Sequence, residues 1–326
     1  MNSMAVSNSL TKAKSNQRLG ITAYLTNDAV KQQINSVIGG KDGQKFISAI
    51  VSAVNTNPAL QECTNQSILS GALLGESLKL SPSPQLGHYY LVPFNDKERG
   101  KVATFQLGYK GYIQLAIRSG QYKKLNVLAI KEGELEYFDP LNEDIKINLM
   151  VDKWDEREAA PTIGYYAMFE LTNGFRKAIY WSKKQMLSHA DQFSPSFSKD
   201  ATTISTKAGT KTKVSFADFE AGKYDAKDAW MYSSFWYKNF DNMAYKTMLR
   251  QLISKWGIMS IELQSAFESD MTFTQEDGTK SYVESEADVI DSDVIDAEVV
   301  EETPAEPTQT QTDAPQDAQA ALFGNN

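Results

Sequence analysis

Two alternating apolar runs, residues 163–171 and 175–182, meet at Asn173-Gly174. Asn-Gly accepts the left-handed backbone of a two-residue turn, whose twist matches that of the strands it joins. An antiparallel ladder is therefore expected at this point, with neighbouring segments packed around it. A second hairpin is expected from residues 86–94 and 102–107 across the polar turn Asn95-Asp96-Lys97-Glu98-Arg99-Gly100. Between the hairpins, residues 109–118 read as a short helix closed by Ser119-Gly120, and residues 125–131 as a strand. Ser182 caps a further helix reaching about Asp191.

Helical periodicity dominates on either side. Residues 21–54 carry two helices interrupted at Gly39-Gly40 and Asp42-Gly43, and Asn57-Pro58 marks a break. Residues 67–80 form another helix, ended by Pro82 and Pro84. Residues 194–214 read as a Ser/Thr/Lys/Gly loop, and residues 225–256 as a long aromatic-rich helix, broken at most once and stopped by Gly257. Helices, then strands with short helices between them, then helices argue for an α+β fold: a small antiparallel sheet of hairpins packed with helices.

The net charge of −8 conceals a division. Residues 281–326 hold 12 acids and no base, so the remaining body has 33 bases against 29 acids, a net +4. A basic body with an acidic tail fits a nucleic-acid binder. The tail also has three prolines and almost no aromatics, and it cannot bury enough apolar area to offset its ordering entropy. The expected organisation is an N-terminal helical region over 1–57, a core over 58–278, and a disordered acidic tail over 279–326. The polar N-terminus lacks the apolar stretch of a signal peptide, and no window has 18 consecutive apolar residues. A cytoplasmic protein without membrane contact is expected.

The pairs Gly40-Lys41, Gly100-Lys101 and Gly222-Lys223 are followed by Asp, Val and Tyr. None supplies the hydroxyl with which a Walker loop holds magnesium, so a P-loop ATPase is disfavoured. Two histidines, His88 and His189, and one cysteine, Cys63, leave little scope for a histidine-rich metal site, a cysteine cluster or a Ser-His-Asp triad. No catalytic residue, cofactor or metal is therefore assigned. One enzyme-like cluster stands against this: Asp139, Asp144 and Lys146 have the residue types of a metal-dependent nuclease. Alternation through Ile145, Ile147 and Leu149 reads the same segment as an ordinary strand. A third reading is an assembly protein that binds no DNA.

Three stretches carry a binding chemistry. The first holds Gln106, Tyr109, Lys110 and Tyr112 around Gly108 and Gly111, then Arg118, Lys123 and Lys124. Glycines permit close backbone approach, and the cations match phosphates. The second is a lysine-rich loop with Lys199, Lys207, Lys211 and Lys213 among hydroxyl residues. The third is the helical stripe Lys238, Asn242, Lys246 and Arg250, at steps of four beside an apolar face. Aromatics among cations suit single-strand binding, although aromatics at helical spacing are more often core.

These stretches resemble the RecT family of phage single-strand annealing proteins. The resemblance rests on Leu107-Gly108-Tyr109-Lys110-Gly111-Tyr112, Leu115-Ala116-Ile117-Arg118-Ser119-Gly120, and Lys246-Thr247-Met248-Leu249-Arg250-Gln251-Leu252 with Lys255-Trp256-Gly257. Gly75-Glu76-Ser77-Leu78, Leu80-Ser81-Pro82 and His88-Tyr89-Tyr90-Leu91-Val92-Pro93-Phe94 fit the family's opening segment, so the match covers roughly residues 58–266. It implies a Rad52-like, DNA-binding annealing core over 58–278, oligomer contacts from the helical region over 1–57, and ATP-independent annealing of complementary DNA strands in phage recombination by a ring or helical filament. Single-stranded DNA and the annealed duplex intermediate are the implied partners. A phage exonuclease is implied beside them, and the tail is expected to recruit it or the host single-strand-binding protein in the bacterial cytoplasm. On this reading Lys110, Arg118, Lys123, Lys207, Lys211, Lys246 and Arg250 neutralise phosphates, Tyr109 and Tyr112 contact bases, and base pairing supplies about 1.4 kcal/mol per step.

Overall fold

The computed structural model describes residues 20–96, 99–206, 209–270, 272–274 and 280–282. The acidic tail beyond Tyr282, residues 1–19 and Lys207 lie outside the described residues.

The chain opens with α1 (Ile21–Leu25), α2 (Asp28–Ile38) and α3 (Gly40–Thr56). The extra break arises at Asn27, whose side chain accepts the Ala29 N–H and starts α2 afresh. Gly39, at φ +87°, separates α2 from α3. A 3-10 turn (Pro58–Glu62) leads to α4 (Asn65–Ser77), which Thr64 caps through the Ser67 N–H.

Strands β1 (Tyr89–Asp96) and β2 (Gly100–Leu107) form the expected hairpin, in register from Tyr89↔Leu107 to Asp96↔Gly100. Next come α5 (Tyr109–Arg118), β3 (Tyr122–Lys131), the small hairpin β4 (Leu135–Asp139) and β5 (Asp144–Ile147), and α6 (Trp154–Ala159). Then β6 (Thr162–Leu171) and β7 (Arg176–Ser182) pair across Asn173-Gly174, with Gly174 at φ +88°. Ser182 and Gln185 exchange bonds in a capping box that starts α7 (Lys183–Phe193).

Residues 194–214 depart from the loop expectation, because β8 (Thr202–Thr206) and β9 (Gly209–Lys213) pair as a hairpin within them. The stretch expected as one helix is broken twice. It runs as α8 (Phe216–Glu220), a 3-10 turn (Ala226–Tyr232), α9 (Phe235–Lys238) and α10 (Phe240–Trp256), of which α8 precedes the expected start. The chain continues through α11 (Ile261–Ser269), β10 (Thr272–Thr274) and β11 (Lys280–Tyr282). The last strand lies past Gly278, where the core was expected to end.

The strand order is β1-β2-β10-β11 in one sheet and β3-β6-β7 in another. Every described pairing is antiparallel, so the fold class is α+β. The first core joins α1–α5 and α11 to the β1–β2 face. The second joins the β3-β6-β7 sheet to α7, α8, α9 and α10. Helix α10 serves both: Leu249 and Ile253 enter the first core, and Ala244, Met248 and Leu252 enter the second. A helix apolar on two sides is stable only between two layers. Each fully buried Leu or Ile contributes about 1.5–3 kcal/mol. No described helix is long and apolar enough to cross a membrane.

Candidate nucleic-acid interface

Strand β2 passes into α5 through Gly108, whose N–H donates to the His88 carbonyl at 2.9 Å. A Cβ on Gly108 would lie 2.2 Å from the Gly87 carbonyl oxygen, and one on Gly111 would lie 2.1 Å from that of His88. Both glycines therefore let the 87–88 backbone press against the start of α5. This brings Tyr90 of β1 beside the β2–α5 corner. An open cleft separates that corner from α9 and α10.

The cleft has three chemical components. Its rings are Tyr90 and Phe235, with centroids 5.9 Å apart, and Tyr109, which packs edge-on against Tyr245 at 5.5 Å. Its carboxamides are Gln106, Asn239 and Asn242. Its cation is Lys246, only 7% exposed. The exposed Lys110 adjoins the same corner, since its Cδ approaches the free side of Gly87 beside the Tyr90 hydroxyl.

Beneath Lys246 lies a charge node. The Asp270 carboxylate is buried and receives the Leu107 N–H at 2.9 Å, the Tyr112 hydroxyl at 3.0 Å, the Lys246 ammonium at 3.1 Å and Arg250 at 3.0 Å. It therefore ties β2, α5 and α10 to the end of α11. Burial, then the Asp270 charge, pushes the Tyr112 phenol far above its ordinary range. The node changes the standing of three expected contacts. Tyr112 is fully buried and presents no ring face to a base in this structure. Lys246 and Arg250 are held by a carboxylate rather than spread along a solvated stripe.

The other expected residues are dispersed. Arg118, at the far end of α5, donates to the Leu78 carbonyl at 2.6 Å and so caps α4. Burial, then the charges of Arg118 and Lys110, hold the His88 imidazole below its ordinary value. Its Nδ1 accordingly accepts the Ser81 N–H. Lys123 and Lys124 on β3 pair with Glu170 on β6 at 2.6 and 3.4 Å, yet both remain about 60% exposed. The hydrogen bond from Lys123 holds the Glu170 carboxyl below its usual range. Lys211 pairs with Asp228 and lies 5.9 Å from the exposed Trp230 ring. Lys213 is turned inward to the Ser196 carbonyl, and burial lowers its ammonium from the ordinary value. It also lies 5.2 Å from the ring of Tyr237 on α9, which links the β8–β9 hairpin to the helix that lines the cleft.

The nuclease trio falls on the β4–β5 hairpin. The Asp139 carboxylate accepts the Leu141 and Asn142 N–H groups and the Asn142 amide, so it shapes the turn. Asp144 receives the Tyr137 hydroxyl, and Lys146 pairs with Glu136. No metal-ligating cluster of three or more His, Cys, Asp or Glu occurs among the described residues. Sequence reasoning did not single out Tyr90, Phe235, Asn239 or Met243 for the site, and all four line the cleft. The usable signal for Tyr90 was its alternation with the buried Tyr89 and Leu91 on one strand.

"Uncharacterized protein YqaK" of Bacillus subtilis (strain 168) is 36% identical over 294 residues, covering 88% of this chain and 86% of that protein. "Protein RecT" of Escherichia coli (strain K12) is 26% identical over 278 residues, covering 83% of this chain and 88% of its own length. The RecT family profile matches residues 44–284, from the second turn of α3 to just past β11. The chain therefore belongs to the RecT family, whose members bind DNA and carry out single-strand annealing in recombination.

Proposed function

We propose that this chain binds single-stranded DNA mainly through its phosphate backbone and anneals it to a complementary strand without ATP, as a DNA-bound oligomer. The observation that carries the reading is the set of exposed lysines, Lys110 beside the cleft at the β2–α5 corner and Lys123 and Lys124 on β3. Two DNA strands repel until their phosphates are neutralised. Exposed cations at Lys110, Lys123 and Lys124, with the half-buried Lys211, would lower that repulsion while leaving base edges available. A subunit of this size lines few nucleotides, so a shared groove along an oligomer would hold a strand long enough to test its partner. The acidic tail would recruit a partner exonuclease or single-strand-binding protein.

The test mixes complementary dye-labelled oligonucleotides with the full chain in nucleotide-free buffer. Annealing faster than the uncatalysed rate is expected, and an absolute ATP requirement would refute the proposal. Log affinity should fall with log salt by roughly 0.7 per neutralised phosphate. A flat response would argue against a backbone-dominated site.

A further inference from the structure

We infer that the cleft between the β2–α5 corner and α9–α10 takes one unpaired nucleobase of the bound strand. The inference rests on the proposed single-strand binding and assigns a particular ligand group to this part of the surface.

The rings come first. Tyr90 and Phe235 face each other across 5.9 Å at a 38° tilt, and neither belongs to either hydrophobic core. Phe235 is 42% exposed. Large aromatics outside a core leave apolar faces in water, an arrangement common where a planar ligand stacks. The carboxamides add a separate indication. The side chains of Gln106, Asn239 and Asn242 line the cleft and make no hydrogen bond to the described residues. Each offers both donors and acceptors. A base edge is likewise a mixture of donors and acceptors, and a carboxamide can rotate to match any of the four. The cleft would therefore hold a base with little sequence preference.

Charge selects among planar ligands. No Asp or Glu lines the cleft, and its one cation, Lys246, is already held by Asp270. The interior thus suits a neutral ring rather than a free anion. The exposed cation Lys110 stands at the corner outside, beside Gly87 and the Tyr90 hydroxyl, where the phosphate attached to such a base would lie. A neutral ring joined to an anionic backbone is a nucleotide of a strand.

The arrangement has a consequence for annealing. A base already paired in a duplex reaches the cleft only by unpairing, at a cost of a few kcal/mol. The cleft therefore favours single strands, and a base that finds its complement is withdrawn from it. Occupancy and pairing compete, so the finished duplex is held less tightly than the strand at this site.

The test compares the full-length protein on a labelled thymidine oligomer and on an abasic oligomer with the same length and phosphates. Stacking of a base contributes about 1–3 kcal/mol, so the abasic strand should bind about fivefold to a hundredfold more weakly. Phe235→Ala, at an exposed position, and Asn242→Leu should each shrink that ratio by weakening the thymidine strand more than the abasic one. Circular dichroism checks that both variants fold. Equal wild-type affinity for the two strands would overturn the base site and leave backbone binding intact. A ratio unchanged in both variants would place the bases elsewhere and overturn it too. Failure to bind either strand at low salt would instead sink the annealing proposal.

Discussion

Removing the Asp270 carboxylate should expose how strongly the cleft depends on a buried charge. Lys246 is 7% exposed and Asp270 2%, and their contact is 3.1 Å. Asp270→Ala would leave the Lys246 ammonium buried without its counter-charge and remove the acceptor of the Leu107 N–H and the Tyr112 hydroxyl. Breaking a buried pair from one side costs about 3–5 kcal/mol. Arg250 limits the damage, because it is a quarter exposed and lies 5.3 Å from the Phe267 ring. For a fold of this size the loss corresponds to a fall in Tm of roughly 6–20 °C. Urea denaturation of the wild type, Asp270→Ala, Asp270→Asn, and Asp270→Asn with Lys246→Met would measure it. The double variant should recover a large part of the loss, because neither charge then stays buried. If Asp270→Ala stayed within about 1 kcal/mol of wild type, or if Lys246→Met gave no recovery, the node would not be the fastening described.

Three further outcomes are expected. Burial, then the Arg250 charge, pushes His189 down to about 4, so the native imidazole stays neutral where the unfolded one takes up a proton. Stability should then be full above pH 6.5 and fall by up to about 3 kcal/mol as pH drops towards 4. His189→Phe, between Trp181 and Phe193, should flatten that limb in urea titrations at pH 7 and 4.5, and parallel profiles would count against the assignment. Gly111→Ala forces a Cβ to within 2.1 Å of a backbone oxygen and should cost about 1–3 kcal/mol in thermal melting, whereas Gly20→Ala meets open space; equal melting would contradict the packing at α5. A chain ended after Glu284 should melt like the full length, and one ended after Gly278 should melt lower because it loses β11 and its pairing to β10; indistinguishable curves would show that this strand adds nothing to the core.

Local chemistry was the part of the fold most readable from sequence. The β6–β7 turn follows from Asn173-Gly174, and the start of α7 from the Ser182–Gln185 pair, since both need only neighbours in the chain. The β8–β9 hairpin was hidden because its strands are mostly Thr, Ser and Lys, with Ile204 alone anchoring them to the second core. The breaks in the long aromatic helix also have local causes that tertiary packing exploits. The Ser234 hydroxyl takes the Trp236 N–H, and Asn239 adopts an extended φ of −154°. With those breaks, Met231, Tyr232, Trp236, Tyr237 and Phe240 all reach one core.

The site was less readable for a related reason. Periodicity places Lys246 and Arg250 on one helix face, but it cannot report that Asp270, at the end of the next helix, lies against both. Two cations of the sequence stripe thus became an internal fastening, while Tyr90, Phe235 and Asn239, which also line the cleft, came from outside the basic stretches. Tyr90, Gln106, Phe235 and Asn242 lie on four different elements, and only the Gly87–Gly108 backbone contact and the turn of chain at Asn239 bring them to one opening. Charge in the sequence therefore locates the exposed lysines Lys110, Lys123 and Lys124. The rings and amides that would hold a base depend on how the two cores meet along α10.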